Sequence, residues 1–114
     1  MPTPFSHLSA ARQLLADAVL APDAVLERDR GAFFLGNIAA DGHYLGGRMR
    51  WETHFYRYDD MPADPPWRVM MDENPSLWTP RDDSARVFMA GYIAHLAIDE
   101  YWSRHMASPY FGNE

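Results

Sequence analysis

The chain's 114 residues include five histidines and no cysteine, so any metal must be held by His, Asp and Glu. A thiol nucleophile and a disulfide scaffold are both excluded. The densest chemical signal is Ala94-His95-Leu96-Ala97-Ile98-Asp99-Glu100. Four residues carry a helix about 40° past a full turn, so His95 and Asp99 stand one above the other. An imidazole and a carboxylate stacked in this way suit a borderline cation such as zinc, although the same spacing also serves a plain hydrogen-bonded pair. Ile93, Leu96 and Ile98 make this helix apolar almost all round, and no arginine stands at helical spacing within a turn of either polar group. A buried His and Asp need partners, and a metal would satisfy both.

Further candidates stand at the ends or borders of other elements. His7 lies early in the first helical pattern, Asp41 closes an apolar run, and His54 sits among aromatics. Taken singly, each is an ordinary first-turn imidazole, helix-end carboxylate or loop histidine. Taken together with His95 and Asp99, they distribute over the chain as a polynuclear metal site requires. His105 lies ten residues beyond His95, about 15 Å along the helix, placing it toward a neighbouring ion rather than the same one. His43 reads as a solvent-exposed loop residue.

The elements that must position these groups are helical. Thr3-Pro4 is a capping hydroxyl followed by a proline at the first helical position. Phe5, Leu8, Ala11, Leu15 and Ala18 or Val19 then recur at helical spacing, predicting a helix to about Leu20, with His7 on the border of its apolar face. Pro22-Asp23 is a second start signal, opening Ala24 to Arg30. Gly31 interrupts the pattern, and Ala32 to Ala40 is a buried run that its alanines assign to helix rather than strand. Residues 42–81 are rich in glycine, proline and aromatics. There a short helical or extended piece is expected over Trp51–Tyr58, and a short helix from Pro66 to Met71. Asp82-Asp83-Ser84 then caps a long helix, Ala85 to about Met106, which Pro109 stops. The expected architecture is one all-α domain spanning 1–114, of about four helices around one core.

Charge narrows the partners. The basic residues are all arginine, ten against sixteen acids, for a formal net charge of −6. That balance argues against a nucleic-acid grip. No apolar run approaches the roughly 20 residues of a membrane span, and the first residues lack the basic and apolar regions of a signal peptide, so a cytoplasmic location is expected.

The ordered set Pro4-Phe5-Ser6-His7, Gly36-Asn37-Ile38-Ala39-Ala40-Asp41, Thr53-His54-Phe55-Tyr56, Gly91-Tyr92-Ile93-Ala94-His95-Leu96-Ala97-Ile98-Asp99 and His105 resembles the zinc-dependent phospholipase C family, which is related in fold to the fungal single-strand-specific nucleases. The resemblance spans essentially the whole chain and implies an all-helical fold like the N-terminal part of that family. It also implies hydrolysis of a phosphodiester by a metal-bound hydroxide. Asp41, His54 and His95 would hold one zinc, and Asp99 would bridge it to a second that His7 also binds. His105 would serve a third, and Asp41 would also orient the nucleophile.

The chain departs from the family pattern where Ala40 replaces a proline and where the distal ligands of the third ion have no counterpart. The expectation is therefore two zinc ions, with the third site incomplete. That fits an N-terminal portion of a longer protein, a minimal version, or a site completed in a homo-oligomer. The implied substrate is a small phosphodiester or phospholipid. Trp51, Tyr56, Trp67 and Trp78 offer walls for a pocket, although core positions suit them better. Two other functions stay open: a metal-stabilised helical module without catalysis, and a helical interaction domain whose histidines are ordinary.

Overall fold

The computed structural model describes residues 3–17, 28–57 and 60–107. The start signal at Pro22-Asp23 and the stop at Pro109 lie outside them. The described chain is all-α: α1 (Pro4–Ala16), α2 (Arg30–Ala39), α3 (Arg50–His54), α4 (Pro66–Glu73) and α5 (Asp83–Trp102). Short 3-10 turns cover Ala40–Gly46 and Pro75–Trp78, and a π turn, Ser103–Ala107, continues α5. The one extended pairing among the described residues is an isolated bridge between Arg57 and Asp60. No described helix is long and apolar enough to cross a membrane.

The helix starts follow their local chemistry. The Thr3 hydroxyl accepts from the Ser6 amide, and the Asp82 carboxylate accepts from the Ala85 amide at 2.8 Å, each satisfying a donor that the first turn leaves unpaired. α1 stops at Ala16, short of the expected Leu20. Asp17 turns to extended backbone (ψ 136°) there, and an acid is unfavourable at the negative end of the helix dipole. Its inward face also differs from expectation. His7, Ala11 and Leu15, spaced four apart, are the buried residues of α1, whereas Phe5 is exposed. His7 is therefore part of the buried stripe and not at its edge. α2 begins at Arg30 after a break at Asp29, two residues before the interruption expected at Gly31, and the run to Ala39 is helix, as its alanines indicated.

α5 is the central element and packs on two apolar clusters. Val87 meets Ala11 and Leu15 of α1 and Phe33 of α2. Further along, Leu96 packs with Met70 and Met71 of α4, with Phe55, Trp67, Leu77 and Tyr92 around them. Trp51 and Trp78 are exposed rather than core, because their short elements leave them at the rim.

The crossing of α2 over α5 depends on two glycines. A Cβ at Gly36 would lie 2.1 Å from the Phe88 carbonyl oxygen, and one at Gly91 would lie 2.3 Å from that of Phe33. Both backbones come closer than any side chain allows, and a methyl at either place would force the helices apart.

Candidate metal centre

Asp41, His54, His95 and Asp99 come from three elements: the 3-10 turn, α3 and two successive turns of α5. Each offers one ligand atom, and these atoms all lie within 4.8 Å of one another. The His95–Asp99 stacking read from their spacing is present, with Nε2 to Oδ2 at 3.1 Å. His54 Nε2 lies 3.2 Å from His95 Nε2, 3.1 Å from Asp41 Oδ1 and 3.5 Å from Asp99 Oδ2. His95 Nε2 lies 3.5 Å from Asp41 Oδ1. Bonds of about 2.0 Å from a tetrahedral zinc would put neighbouring ligand atoms about 3.3 Å apart. The five separations that involve a histidine bracket that value.

The main chain prepares both histidines. His95 Nδ1 donates to the Asn37 carbonyl at 2.6 Å, and His54 Nδ1 donates to the Arg50 carbonyl at 3.1 Å. Carbonyls only accept, so each ring carries its proton on Nδ1 and turns Nε2 toward the centre, as a metal-binding imidazole requires. The Asn37 bond exists because Gly36 and Gly91 let α2 approach α5. His54 is fixed from both sides. The Thr53 hydroxyl donates to the Ala40 carbonyl at 2.9 Å, while Tyr92 Oη donates to the Thr53 carbonyl at 2.6 Å. Directly after His54, Phe55 adopts a left-handed conformation (φ 63°), which ends α3 and costs about 1–2 kcal/mol in a non-glycine residue.

Burial and charge are balanced by mutual pairing. Burial opposes an ionised Asp99, but hydrogen bonds from His7 and His95 bring its pKa down to about 2. Burial likewise opposes Asp41, and the neighbouring His54 and His95 outweigh it, holding this carboxylate far below its usual range. Burial disfavours a charged His95, yet Asp41 and Asp99 raise its pKa to about 9. Desolvation pushes His54 the other way, downward. Without metal, the pairing with Asp41 and Asp99 favours an extra proton on His95. A divalent cation would replace that proton, and this donor set fits it.

The remaining histidines divide. His7 is fully buried, donates from Nε2 to Asp99 Oδ1 at 3.0 Å and stacks on His95 with ring centroids 3.7 Å apart. Its Nδ1 is buried without a hydrogen-bond partner. Asp99 therefore turns one oxygen to the four-residue centre and the other to His7, a bridging disposition. His105 stands on the π turn, exposed, with its ring against Tyr101 at 4.5 Å, and is not among the converging ligands. His43 is not the exposed loop residue expected. It is half-buried, with Nδ1 3.3 Å from the Ala40 carbonyl and its ring edge-on to His54 at 5.9 Å, because the tight 3-10 turn brings it back beside Asp41.

Arg50 was missed by helix spacing, because it reaches Asp99 from another element. Its Nη2 lies 3.4 Å from Asp99 Oδ2 and 3.3 Å from Tyr56 Oη, and Tyr56 in turn bonds Ser103 at 3.1 Å. The one available signal was its place four residues before His54, on the same face of α3. Comparison of the chain with protein-family models, curated proteins and solved structures finds no match.

Proposed function

We propose that the chain is a metal-dependent phosphodiester hydrolase with a zinc-type centre at Asp41, His54, His95 and Asp99, in keeping with its resemblance to zinc-dependent phospholipases C. The observation that supports this most is the convergence of mixed N and O donors on one point, with one of the four, Asp41, reaching solvent. The side chains of His54 and His95 are 0% exposed and that of Asp99 2%, whereas Asp41 is 27% and the neighbouring Arg50 23% exposed. When bound, a divalent ion supplies Lewis-acid polarisation of a phosphoryl oxygen and acidifies water.

The chain's own groups do the rest. The Arg50 and Asn37 carbonyls take the Nδ1 protons of His54 and His95 and so turn both Nε2 atoms to the centre. Asp41, the most exposed of the four, accepts a hydrogen bond from the attacking water and aims it. Its low pKa suits an orienting carboxylate better than a proton store. His7 anchors the second oxygen of Asp99 and is the residue that would share that carboxylate with a second ion. The substrate class is a small phosphodiester or phospholipid.

A second reading has its own support. The converging atoms are all protein groups, and each histidine Nε2 lies 3.1–3.5 Å from the other three, which suits a closed structural site. Cleavage of bis(4-nitrophenyl) phosphate by zinc-loaded and chelated protein separates the two. The hydrolase reading expects zinc-restored cleavage that falls about a hundredfold or more in Asp41→Asn. Zinc bound with no cleavage, together with a fully protein-ligated ion by X-ray absorption, establishes the structural reading instead.

A further inference from the structure

We infer that Thr53 is the positioning residue that makes Asp41 and His54 a ligand pair, through one hydroxyl bonded to both of their elements. This role rests on the zinc-type centre of the proposed function and not on the cleavage assigned to it. The two ligands are 13 residues apart and stand in short elements. α3 has 5 residues, and Asp41 belongs to a 3-10 turn of 7, whose hydrogen bonds are poorer than those of an α-helix. Neither element is long enough to hold a ligand still by itself.

The Thr53 hydroxyl oxygen lies 2.9 Å from the Ala40 carbonyl oxygen, 3.2 Å from that of Arg50 and 3.0 Å from His54 Nδ1. A threonine in a helix ordinarily turns its hydroxyl back on a carbonyl three or four residues earlier. Here the shorter bond crosses to Ala40, whose carbonyl belongs to the peptide that carries Asp41. With its one proton given there, the hydroxyl oxygen can accept. His54 Nδ1 holds a proton, because the Arg50 carbonyl 3.1 Å away can only accept one, and that proton is shared with the Thr53 oxygen. One hydroxyl therefore accepts from the ring of one ligand and donates to the peptide of the other, a chain in which each bond strengthens the next.

Thr53 is itself anchored to the helix that bears the other two ligands. Tyr92 Oη on α5 donates to the Thr53 carbonyl at 2.6 Å, within a turn of His95. The result is visible at the centre, where Asp41 Oδ1 stands 3.1 Å from His54 Nε2 although Asp41 is 27% exposed. A carboxylate in contact with water has other positions open to it, and a bond to the preceding residue limits them. A β-branched side chain suits this task, because its χ1 is stiff.

The test is zinc affinity, by competition with a chromophoric chelator, in the unsubstituted chain, Thr53→Val, Thr53→Ser, Asp41→Ala and the double variant Thr53→Val with Asp41→Ala. The absorption spectrum of each cobalt-loaded chain is recorded beside it. Thr53→Val should weaken zinc binding about tenfold or more and change the cobalt spectrum, and Thr53→Ser should restore both. In the double variant Thr53→Val should cost less than it does alone, since part of its effect runs through Asp41. Unchanged affinity in Thr53→Val, a weaker affinity with an unchanged cobalt spectrum, no rescue by serine, or two losses that simply multiply each overturn the role of Thr53. An unsubstituted chain that takes up no zinc overturns both it and the hydrolase reading. Zinc binding that depends on Thr53 without diester cleavage leaves Thr53 standing and defeats the hydrolase reading alone. Should Thr53→Val fail to fold, nuclear magnetic resonance of the unsubstituted zinc-loaded chain decides. The Thr53 hydroxyl proton should be visible and slow to exchange with water, and exchange too fast for it to be seen overturns the proposal.

Discussion

The same three helices, α1, α2 and α5, build an apolar core at one end and a charged core at the other. Toward the start of α5, Val87 packs with Ala11, Leu15 and Phe33, and every contact is satisfied by exclusion of water. Two to three turns on, His95 and Asp99 meet His7 from α1 and the Asn37 carbonyl from α2. The apolar end needs nothing further, because dispersion and hydrophobic burial tolerate small shifts. The charged end is stable only while each buried charge has its partner, and one proton or one cation completes it. Gly36 and Gly91 lie between the two ends and couple them through the close crossing of α2 on α5.

The sharpest way to break this comparison is Asp99→Ala. It leaves His7, His95 and Arg50 facing a cavity without a carboxylate, so a loss of about 3–5 kcal/mol in denaturant unfolding is expected, with no zinc uptake. An effect below about 1 kcal/mol would mean that the charged end carries no stability of its own. Zinc comes next. At a free concentration a hundredfold above its dissociation constant it should stabilise by about 2.7 kcal/mol. The same increment should persist in Val87→Ala, because the mutated site and the metal site share no partner. A reduced increment would show that the two ends are one cooperative unit.

Gly91→Ala tests the junction. Its methyl would meet the Phe33 carbonyl and the Asn37 side chain, so about 1–3 kcal/mol of stability should be lost, and zinc affinity should weaken as the Asn37 carbonyl moves off His95. Lost stability with unaltered zinc affinity would uncouple crossing from site.

The smallest effect is the pH dependence of the metal-free chain. Asp99 has its pKa lowered to about 2, so its contribution is present above its unfolded value near 4 and is lost as pH falls toward 2. His95 has its pKa raised to about 9, so its contribution is complete below about 6.5 and is lost as pH rises toward 9. Between pH 6.5 and 7.5 the loss through His95 is at most about 1.4 kcal/mol. Bound zinc should remove this alkaline loss, since His95 ligates without its proton, and should shift the sensitivity to acid. Urea midpoints measured against pH with and without zinc check both arms.

Much of the charged end was legible in the sequence where neighbours along one helix decide geometry. The four-residue spacing of His95 and Asp99 and the cap at Asp82 are local, so a helix of standard pitch was enough to place them. Asp41 and His54 were legible only as candidates, since nothing local says that a helix end and an aromatic-rich loop meet at 3.1 Å. Where local signals competed, they misled. Phe5 outranked His7 by hydrophobicity for the inward face of α1, but α1 turns inward the stripe that lets Ala11 and Leu15 reach Phe33 and Val87.

The sequence by itself determined the helical class, the metal-suited residue types and the stacked pair on α5, because each depends on composition or on contacts within a turn. Only the tertiary structure decided that Arg50 reaches Asp99, that His43 stands against His54 and that His105 lies apart from the converging ligands. It also decided that Gly36 and Gly91 open the way for the Asn37 carbonyl. Most of these are contacts between elements distant in the chain. Helix packing sets them, and the close approach of two backbones has no signature in the periodicity of either.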